Sequence, residues 1–564
     1  MQITALQAPD SFCTKMQGIA QRLAASRVYD RIIQRDHTLW RPEPDEIANR
    51  LGWLDSPHLM RSEISQIYSV ISQVRDAGYT HALLLGMGGS SLAPEVLRTI
   101  FGVADGFLDL SVLDSTHPDA ILAKTRALDP ARTLFLPATK SGSTVETLSL
   151  LKYFFNHTVD SLGQDAASQR FAAITDPGSS LETLARKLNF RHIFRNDPNI
   201  GGRYSALSFF GLVAAGAIGM DLERLLDRAQ DALEDPQPGI QLGTFLAAGL
   251  LTGFDKLTLI ASPSLSAAGA WIEQLVAEST GKDGKGLVPI DLEPETAIDR
   301  YGTDRLFAYL RYDETYDSRV QAIMDAGYPV LRLDICNPYD LGAVFFHWEI
   351  ATVIAGYFLA IHPFDQPNVE AAKILTRKMV DTYQQQSQLP TQDPDLVADS
   401  LEIYGDLKAN TLVEALMGFL AKGTPNRSYI ALQAYLPTTP SITEALQDLR
   451  CRLLEYTGLA TTMGFGPRFL HSTGQLHKGD GGHGLFLQLT ANAKEDAPIP
   501  DAAGAKKSGI GFDILAQAQA LGDHQALINQ NRAVLRIHLG EDIGEGLAQL
   551  SRTLELSQPA QRRH

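Results

Sequence analysis

The stretch that decides the fold is an apolar strand that runs into a glycine turn, Thr80-His81-Ala82-Leu83-Leu84-Leu85-Gly86-Met87-Gly88-Gly89-Ser90-Ser91. A short apolar run that ends at glycines predicts a buried strand, and the helix that follows it begins at Glu95. Further strands are predicted at 110–113, 133–137 and 172–175, with helices after them. Because strands and helices alternate, this part of the chain predicts a doubly wound parallel sheet with its functional site at the carboxyl ends of the strands.

The same alternation returns after a helix-rich segment at 221–251. The predicted strands there are 256–261, 305–311 and 329–334, and later ones are 429–435, 485–489 and 533–538. A chain of 564 residues is too long for one ordinary domain. We expect four parts: a helical N-terminal segment at 1–50, a first α/β domain at 51–235, a second α/β domain at 236–500 and a C-terminal tail at 501–564.

The composition argues against several classes of protein. The net charge of -16 disfavours nucleic-acid binding, and the three cysteines form no CxxC pair, which disfavours a disulfide framework or a thiolate zinc site. The apolar run at 341–361 contains His347 and Glu349, which are costly in lipid, so we expect a buried core helix. No basic segment followed by an apolar core opens the chain. The sequence therefore predicts a soluble, cytoplasmic protein without a membrane partner.

The candidate catalytic base is Glu278, which lies in the stretch Gln274-Leu275-Val276-Ala277-Glu278-Ser279-Thr280-Gly281-Lys282. The preceding apolar side chains are near helical spacing, so Glu278 falls at the end of a packed helix, before a Gly-Lys turn. Burial raises the pKa of a carboxyl group and makes it a better base near neutral pH. The alternative for this residue alone is an ordinary helix-end glutamate that pairs with Lys282.

A cluster of hydroxyl side chains marks the candidate phosphate site. The strand at 133–137 leads into Ala138-Thr139-Lys140-Ser141-Gly142-Ser143-Thr144-Val145-Glu146-Thr147 and then into a helix. Hydroxyl groups and backbone N–H groups at the start of a helix match the oxygens of a phosphate monoester. The alternative is a turn with an ordinary N-cap residue, but a cap needs only one or two of the five hydroxyls present here.

The glycine turn at 86–91 has two interpretations. Backbone N–H groups at a helix start after glycines can bind an anion. A dinucleotide fingerprint would require G-x-G-x-x-G, and Ser91 occupies the position of the third glycine. Asp114 ends the next strand, where it could contact a ribose, so a nicotinamide-dependent dehydrogenase stays open as an alternative.

Three further stretches carry candidate functional side chains. Arg203 follows two glycines and could reach past a close backbone into a cleft, and Lys373 lies on a helix after a proline-rich loop. A possible metal site would use His471, His477, Asp480 and His483, but their spacing fits neither a zinc-finger pattern nor H-E-x-x-H. The sequence instead favours a solvated, glycine-rich loop with one catalytic histidine and no bound metal.

Together these motifs resemble those of the glucose-6-phosphate isomerase family. The similar stretches are 86–94, 140–147, 201–208, 278–282 and 364–373. The motifs nearer the C-terminus look like those in the isomerase half of bacterial transaldolase–glucose-6-phosphate isomerase fusions. The resemblance implies two flavodoxin-like sugar-isomerase (SIS) domains with helical extensions at both ends. It also implies a homodimer without a cofactor that interconverts glucose 6-phosphate and fructose 6-phosphate.

The resemblance also implies the site residues. Those that would contact the substrate and its phosphate are Gly89, Ser90, Thr139, Lys140, Ser141, Ser143, Thr144, Thr147 and Gln366. Glu278 would be the base, Arg203 would stabilise the enediolate, and Lys373 would help to open the ring. The family usually has a ring-opening histidine soon after the glutamate, but residues 301–305 contain none. A similar motif, Leu470-His471-Ser472-Thr473-Gly474-Gln475, comes after Lys373, and we assign His471 as the ring-opening acid/base.

Two other functions fit the same residues. A non-catalytic sugar-phosphate sensor would keep the hydroxyl-rich loop but would not need Glu278, Arg203 and Lys373 together. An isomerase that also accepts mannose 6-phosphate would differ only in its contacts to the C2 hydroxyl. In the family the histidine can come from a partner subunit, and the sequence does not say which subunit supplies His471.

Overall fold

The computed structural model describes residues 1–390, 392–406 and 408–556. The helices are α1 (Asp10–Ala25), α2 (Val28–Ile33), α3 (Ser56–Asp76), α4 (Leu92–Phe101), α5 (Pro118–Ala127), α6 (Val145–Leu162), α7 (Gln164–Ser168), α8 (Ser180–Lys187), α9 (Phe209–Ala217), α10 (Leu222–Glu234), α11 (Gln237–Thr252), α12 (Ala268–Thr280), α13 (Asp317–Asp325), α14 (Leu341–Leu359), α15 (Pro367–Gln386), α16 (Leu412–Leu420), α17 (Pro440–Thr457), α18 (Gly474–Gly479), α19 (Phe512–Asn529) and α20 (Ile543–Leu556). The strands are β1 (Gln2–Gln7), β2 (His81–Gly86), β3 (Asp109–Leu113), β4 (Thr133–Ala138), β5 (Ala172–Thr175), β6 (His192–Arg195), β7 (Lys256–Ala261), β8 (Val288–Ile290), β9 (Arg305–Arg311), β10 (Val330–Asp334), β11 (Leu396–Ala398), β12 (Leu401–Tyr404), β13 (Tyr429–Tyr435), β14 (Ala460–Phe465), β15 (Gly484–Thr490), β16 (Pro498–Pro500), β17 (Ser508–Gly511) and β18 (Ala533–His538).

The first sheet has the order β3-β2-β4-β5-β6, and all its strands are parallel. This is the doubly wound arrangement that the alternation of strands and helices predicts. The connection after β2 runs to β3 on one side of it, and the connection after β3 crosses back to β4 on the other side. A crevice therefore opens at the carboxyl ends of β2 and β4. The glycine turn follows β2 and the hydroxyl-rich loop follows β4, which places both at this edge.

The second sheet has the order β1-β10-β9-β7-β8. Strands β7 to β10 are parallel and β1 pairs with β10 in the antiparallel direction. The N-terminal segment, predicted to be helical over 1–50, therefore begins with a strand. Its residues alternate between more and less exposed positions, as expected of an edge strand with only one neighbour. Helix α12, which ends at Thr280, carries the predicted base at its C-terminal end.

The third sheet is the main difference from the sequence-based prediction of two α/β units. Its order is β11-β12-β18-β15-β13-β14, with β13, β14, β15 and β18 parallel. The predicted second domain, 236–500, thus contains strands of two sheets, and the predicted tail supplies β18 to the middle of the third. The physical reason is that β13 pairs with β14 and β15, on both of its sides, and with no strand of the second sheet.

One described helix, Pro338–Leu359, is long and apolar enough to cross a membrane, but 89% of its apolar window is buried inside the protein. Trp271 of α12 packs edge-on against Phe345 of α14, as in a core helix. The prediction of a buried helix is confirmed. The segment 493–508 includes β16 of a short hairpin, and Ile499 joins the core beside Phe135 and Phe154.

Candidate active site

The glycine turn after β2 packs tightly against the chain itself. A methyl group on Gly89 would lie 1.9 Å from the carbonyl oxygen of Gly202, next to Arg203. One on Gly88 would lie 2.8 Å from His471 O. The turn therefore brings together the arginine loop and the histidine loop. Asp114, the candidate ribose ligand, instead lies 3.1 Å from a guanidinium nitrogen of Arg468.

Arg203 is the buried cation of the site, with 3% of its side chain exposed. Its Nη1 lies 3.2 Å from Glu278 Oε1 and donates to Gln366 Oε1 at 3.1 Å. Its Nε donates to Ser279 Oγ at 2.8 Å. The structure thus joins three predicted site residues through one guanidinium group, whose rigid fork of donors suits several acceptors at once.

Two backbone carbonyls hold this arginine from the other side. Nη2 of Arg203 donates to Pro363 O at 2.8 Å and to Asp365 O at 3.0 Å. Lys282 donates to Asp365 Oδ1 at 2.8 Å, so it is not the partner of Glu278 that the alternative interpretation required. Burial, followed by the nearby charge of Arg203, lowers the pKa of Lys282 to about 8.

His471 lies beside Glu146 of α6. Its Nε2 is 3.0 Å from Glu146 Oε1. Burial acts to raise the pKa of Glu146, but the charge and hydrogen bond of His471 outweigh it, so the pKa of this carboxyl group is lower than usual. Gln274 Nε2 donates to His471 O at 2.8 Å and to Glu278 Oε2 at 3.1 Å, which ties the histidine loop to the candidate base.

A cleft of about 410 Å³ opens beside Glu146 and His471, which both line it. The polar side chains that line it include Ser141, Ser143, Thr144, Glu146, Glu370, Lys373, His471 and Gln519. Lys373 is 47% exposed and lies 3.7 Å from Glu370, one turn earlier on α15. The predicted lysine and histidine therefore share a cleft with the hydroxyl-rich loop, although they are about a hundred residues apart in the chain.

The hydroxyl-rich loop leads into α6, but its N-cap residue Thr144 makes no side-chain capping hydrogen bond. Ser141 and Ser143 are exposed, with their Oγ atoms 2.9 Å apart, and Thr139 and Thr144 join their hydroxyls at 2.8 Å. Gly142 has a φ of 71°, and a side chain there would lie 2.5 Å from the backbone nitrogen of Leu181, so only glycine fits.

The predicted ligands that do not line this cleft include Lys140, Thr147, Ser90 and Gly89. Lys140 is paired with Asp176 and also donates to Pro198 O at 2.7 Å. Thr147 is fully buried, so its hydroxyl does not reach solvent. Ser90 is partly exposed at the glycine turn, whereas Gly89 is buried. The open hydroxyl groups are therefore those of Ser141 and Ser143, with Thr144 partly exposed.

The loop after β14 differs from the solvated loop that we expected. His471 is followed by α18, whose residues are buried, and the ring of His477 packs against Phe486 at 5.0 Å between centroids. His483 lies 3.0 Å from Arg427 Nε, a cation that disfavours metal binding. Across 1–390, 392–406 and 408–556, no group of three or more His, Cys, Asp or Glu side chains could hold a metal ion.

Sequence reasoning missed three residues of this arrangement, Glu146, Gln274 and Gln519. Glu146 lies within the hydroxyl-rich stretch 138–147, so the sequence offered it as a candidate site residue. Gln274 precedes Glu278 by four residues and so shares its helix face, which is a usable signal. Gln519 carries no sequence signal, because only the fold brings α19 to α6.

Comparisons with known proteins find relatives among the glucose-6-phosphate isomerases. The phosphoglucose isomerase family model matches residues 63–234. The chain is 29% identical to a glucose-6-phosphate isomerase of Thermus thermophilus over 385 residues, covering 59% of this chain and 91% of the relative. It is 28% identical to that of Acholeplasma laidlawii over 379 residues, covering 57% of this chain and 88% of the relative.

Two crystal structures share the fold. A hypothetical protein from Thermus thermophilus matches with a TM-score of 0.55 and 27% identity, over 66% of this chain and 99% of that one. A glucose-6-phosphate isomerase from Chlamydia trachomatis matches with a TM-score of 0.56 and 18% identity, over 66% and 86% of the two chains. The chain therefore contains a region that matches phosphoglucose isomerases and is a relative of the glucose-6-phosphate isomerases.

Proposed function

We propose that this protein is an aldose–ketose isomerase that interconverts glucose 6-phosphate and fructose 6-phosphate through a cis-enediol(ate), with Glu278 as the base. The observation that carries the proposal is the pairing of the largely buried Glu278 with the buried Arg203 at 3.2 Å. A carboxylate next to a fixed cation can take a proton from carbon while the cation stabilises the oxyanion that forms.

The first step opens the sugar ring. His471, held by Glu146, protonates the ring oxygen while the hemiacetal hydroxyl gives its proton to water, and Lys373 assists from the same cleft. The bond between the ring oxygen and C1 breaks, and an open-chain aldehyde forms. The support for this step is the 3.0 Å contact between His471 and Glu146, because a carboxylate partner orients an imidazole for proton transfer.

The second step moves a proton between two carbons. Glu278 removes the proton at C2, next to the carbonyl, and Arg203 stabilises the negative charge that develops on oxygen. The same carboxyl group then returns the proton to C1 and gives the ketose. One base can serve both carbons because C1 and C2 of the planar intermediate are both reached from the same face. A positioned base of this kind contributes about 10²–10⁴-fold to the rate.

The phosphate group fixes the substrate for both steps. The exposed hydroxyls of Ser141 and Ser143, with Thr144 and the N–H groups at the start of α6, form the proposed phosphate site. Gly89, Ser90, Thr139, Lys140, Thr147 and Gln366 complete the proposed set of substrate-site residues. We assign Thr147 and Lys140 to supporting the loop, because the first is buried and the second is bound to Asp176.

We expect the protein to act in the cytoplasm, and by family resemblance to be a homodimer. Support for the role of His471 comes from its contacts with Glu146 and Gln274. The proposed mechanism requires no metal and no nucleotide. Additional activity on mannose 6-phosphate would use the same residues, since the enediol of the two sugars is shared.

The test is conversion of fructose 6-phosphate to glucose 6-phosphate in deuterated water, without added metal or nucleotide. We expect turnover with deuterium at C2 of the product. Tight binding of the sugar phosphate with neither turnover nor exchange would overturn the proposal and favour a sugar-phosphate sensor. Adding mannose 6-phosphate to the same assay tests for the dual isomerase.

A further inference from the structure

A buried amide lies behind the histidine–carboxylate pair. Gln519 of α19 is 3% exposed, and its Nε2 donates to Glu146 Oε1 at 2.7 Å. The same oxygen is the one that lies 3.0 Å from His471 Nε2. One carboxylate oxygen therefore connects the proposed ring-opening histidine to α19, a helix in the connection from β15 to β18 of the third sheet.

A second contact fixes the orientation of this amide. Thr116, which follows β3, is fully buried, and its hydroxyl donates to Gln519 Oε1 at 2.7 Å. The carboxylate of Glu146 can only accept a hydrogen bond, so the amide must turn its N–H group toward Glu146 and its oxygen toward Thr116. Thr116 therefore donates to Gln519 and Gln519 donates to Glu146, while His471 donates to the same carboxylate oxygen from the other side.

Both ends of the Gln519–Glu146 contact are shielded from water, since Glu146 is also buried. A hydrogen bond between buried groups is costly to lose because water cannot replace the missing donor. The contact is also charge-assisted, which makes it stronger than a bond between neutral groups.

We propose that Gln519 is a positioning residue for the ring-opening step, an inference that rests on the proposed isomerase function. In this role the amide acts through Glu146 and not on the substrate. It holds Oε1 of Glu146 toward His471 and shares the negative charge of that oxygen. Without this N–H group the carboxyl group would be freer to rotate about its terminal torsion, and its oxygen would present more negative charge to the imidazole. The protonated imidazole of His471 would then be a weaker acid, and transfer of its other ring proton, on Nδ1, to the sugar ring oxygen would slow.

The test compares two substrates with Gln519→Met, a change that keeps the approximate shape and removes the donor. Glucose 6-phosphate must be ring-opened, whereas a tetrose 4-phosphate cannot close a ring because its closing hydroxyl carries the phosphate. We expect turnover of the hexose phosphate to fall by about 10- to 100-fold, the loss typical of a hydrogen bond to a charged group. Deuterium exchange at C2 of the tetrose phosphate stays within about threefold of the wild type.

The matched control is Gln517→Met, on the same helix. Gln517 donates to Asp513 Oδ2 at 2.7 Å, outside the cleft, so both activities should be unchanged. A pH profile adds a readout that loss of structure would not produce. For Gln519→Met with the hexose phosphate, the alkaline limb should move to higher pH by about half a unit to one unit, the equivalent of one hydrogen bond.

A second variant keeps the test valid if Gln519→Met does not fold. Thr116→Val leaves Glu146 and Gln519 in place but frees the amide to turn, and it should lower hexose phosphate turnover in the same selective way by a smaller factor. Equal loss on both substrates, or unchanged hexose turnover in both variants, would overturn the role of Gln519. Failure of the wild type to turn over or exchange either substrate would instead overturn the proposed function.

Discussion

A buried ion pair joins the helix after the candidate histidine to the helix that carries Gln519. Lys478 of α18 and Asp523 of α19 are 2% and 0% exposed, and Lys478 Nζ lies 2.5 Å from Asp523 Oδ1. Asp523 follows Gln519 by four residues, on the same face of α19. We therefore expect this pair to hold α18 and α19 together and, through them, both sides of the ring-opening site.

Replacing the lysine alone, as Lys478→Met, leaves a buried carboxylate without a cation. Breaking a buried pair in this way costs about 3–5 kcal/mol, whereas replacing both partners by apolar groups is often close to neutral. At about 1.4 kcal/mol per tenfold change, the single variant should increase opening of α18 and α19 by roughly 10²- to 4 × 10³-fold. The double variant Lys478→Met/Asp523→Leu should recover at least half of that loss.

Amide hydrogen exchange measures this opening locally, because peptides from α18 and α19 can be compared with those of the first sheet in the same sample. Lys507→Met is the control, since the pair of Lys507 and Asp501 is 3.8 Å apart and exposed, and such pairs contribute little. Exchange in α18 and α19 that changes by less than about threefold in the single variant would refute the reasoning. A double variant no better than the single would refute it as well.

Two further changes test packing and charge. Gly522→Ala should place a methyl group 2.9 Å from the backbone nitrogen of Thr376 on α15. We expect this overpacking to cost about 1–3 kcal/mol of stability and to lower both the melting temperature and turnover. The control Gly418→Ala has open space around it and should not destabilise the protein. Burial, and then the charge of Asp291, raises the pKa of Glu273 to about 8, so the folded state keeps a proton that the unfolded state loses, and stability falls as pH rises from about 4.5 to 8. Because Glu273 is only partly buried, we expect Glu273→Gln to increase the free energy of unfolding by about 1–3 kcal/mol at pH 9 and by little at pH 4. Urea unfolding at both pH values measures this difference. An equal change at both pH values would contradict the prediction.

The sequence was most informative where local pattern decides structure. The predicted strands at 133–137, 172–175 and 256–261 match β4, β5 and β7 to within one residue, because buried parallel strands are short apolar runs with turn residues at their ends. The hydroxyl-rich loop and the helix end at Glu278 were predictable for the same reason, since each is a strand-to-helix or helix-to-turn junction marked by its own residues.

The third sheet and the contacts across the site could not be derived in this way. Whether β13 joins β7 or β15 depends on pairing between distant strands, which the apolar pattern does not encode. Glu146 and His471 are 325 positions apart, and Glu146 and Gln519 are 373 apart. Their meeting is set by how α6, α19 and the loop after β14 pack, so only the folded chain identifies these partners.

The most direct test of the central claim is turnover by Glu278→Gln. We expect this change to lower conversion of fructose 6-phosphate and deuterium entry at C2 by about 10²–10⁴-fold, while affinity for the sugar phosphate stays within a few fold. Glu273→Gln, five residues earlier on α12 and outside the site, is the matched control and should keep normal turnover near neutral pH. Glu278→Gln that retained turnover and exchange within tenfold of the wild type would contradict the assignment of Glu278 as the base.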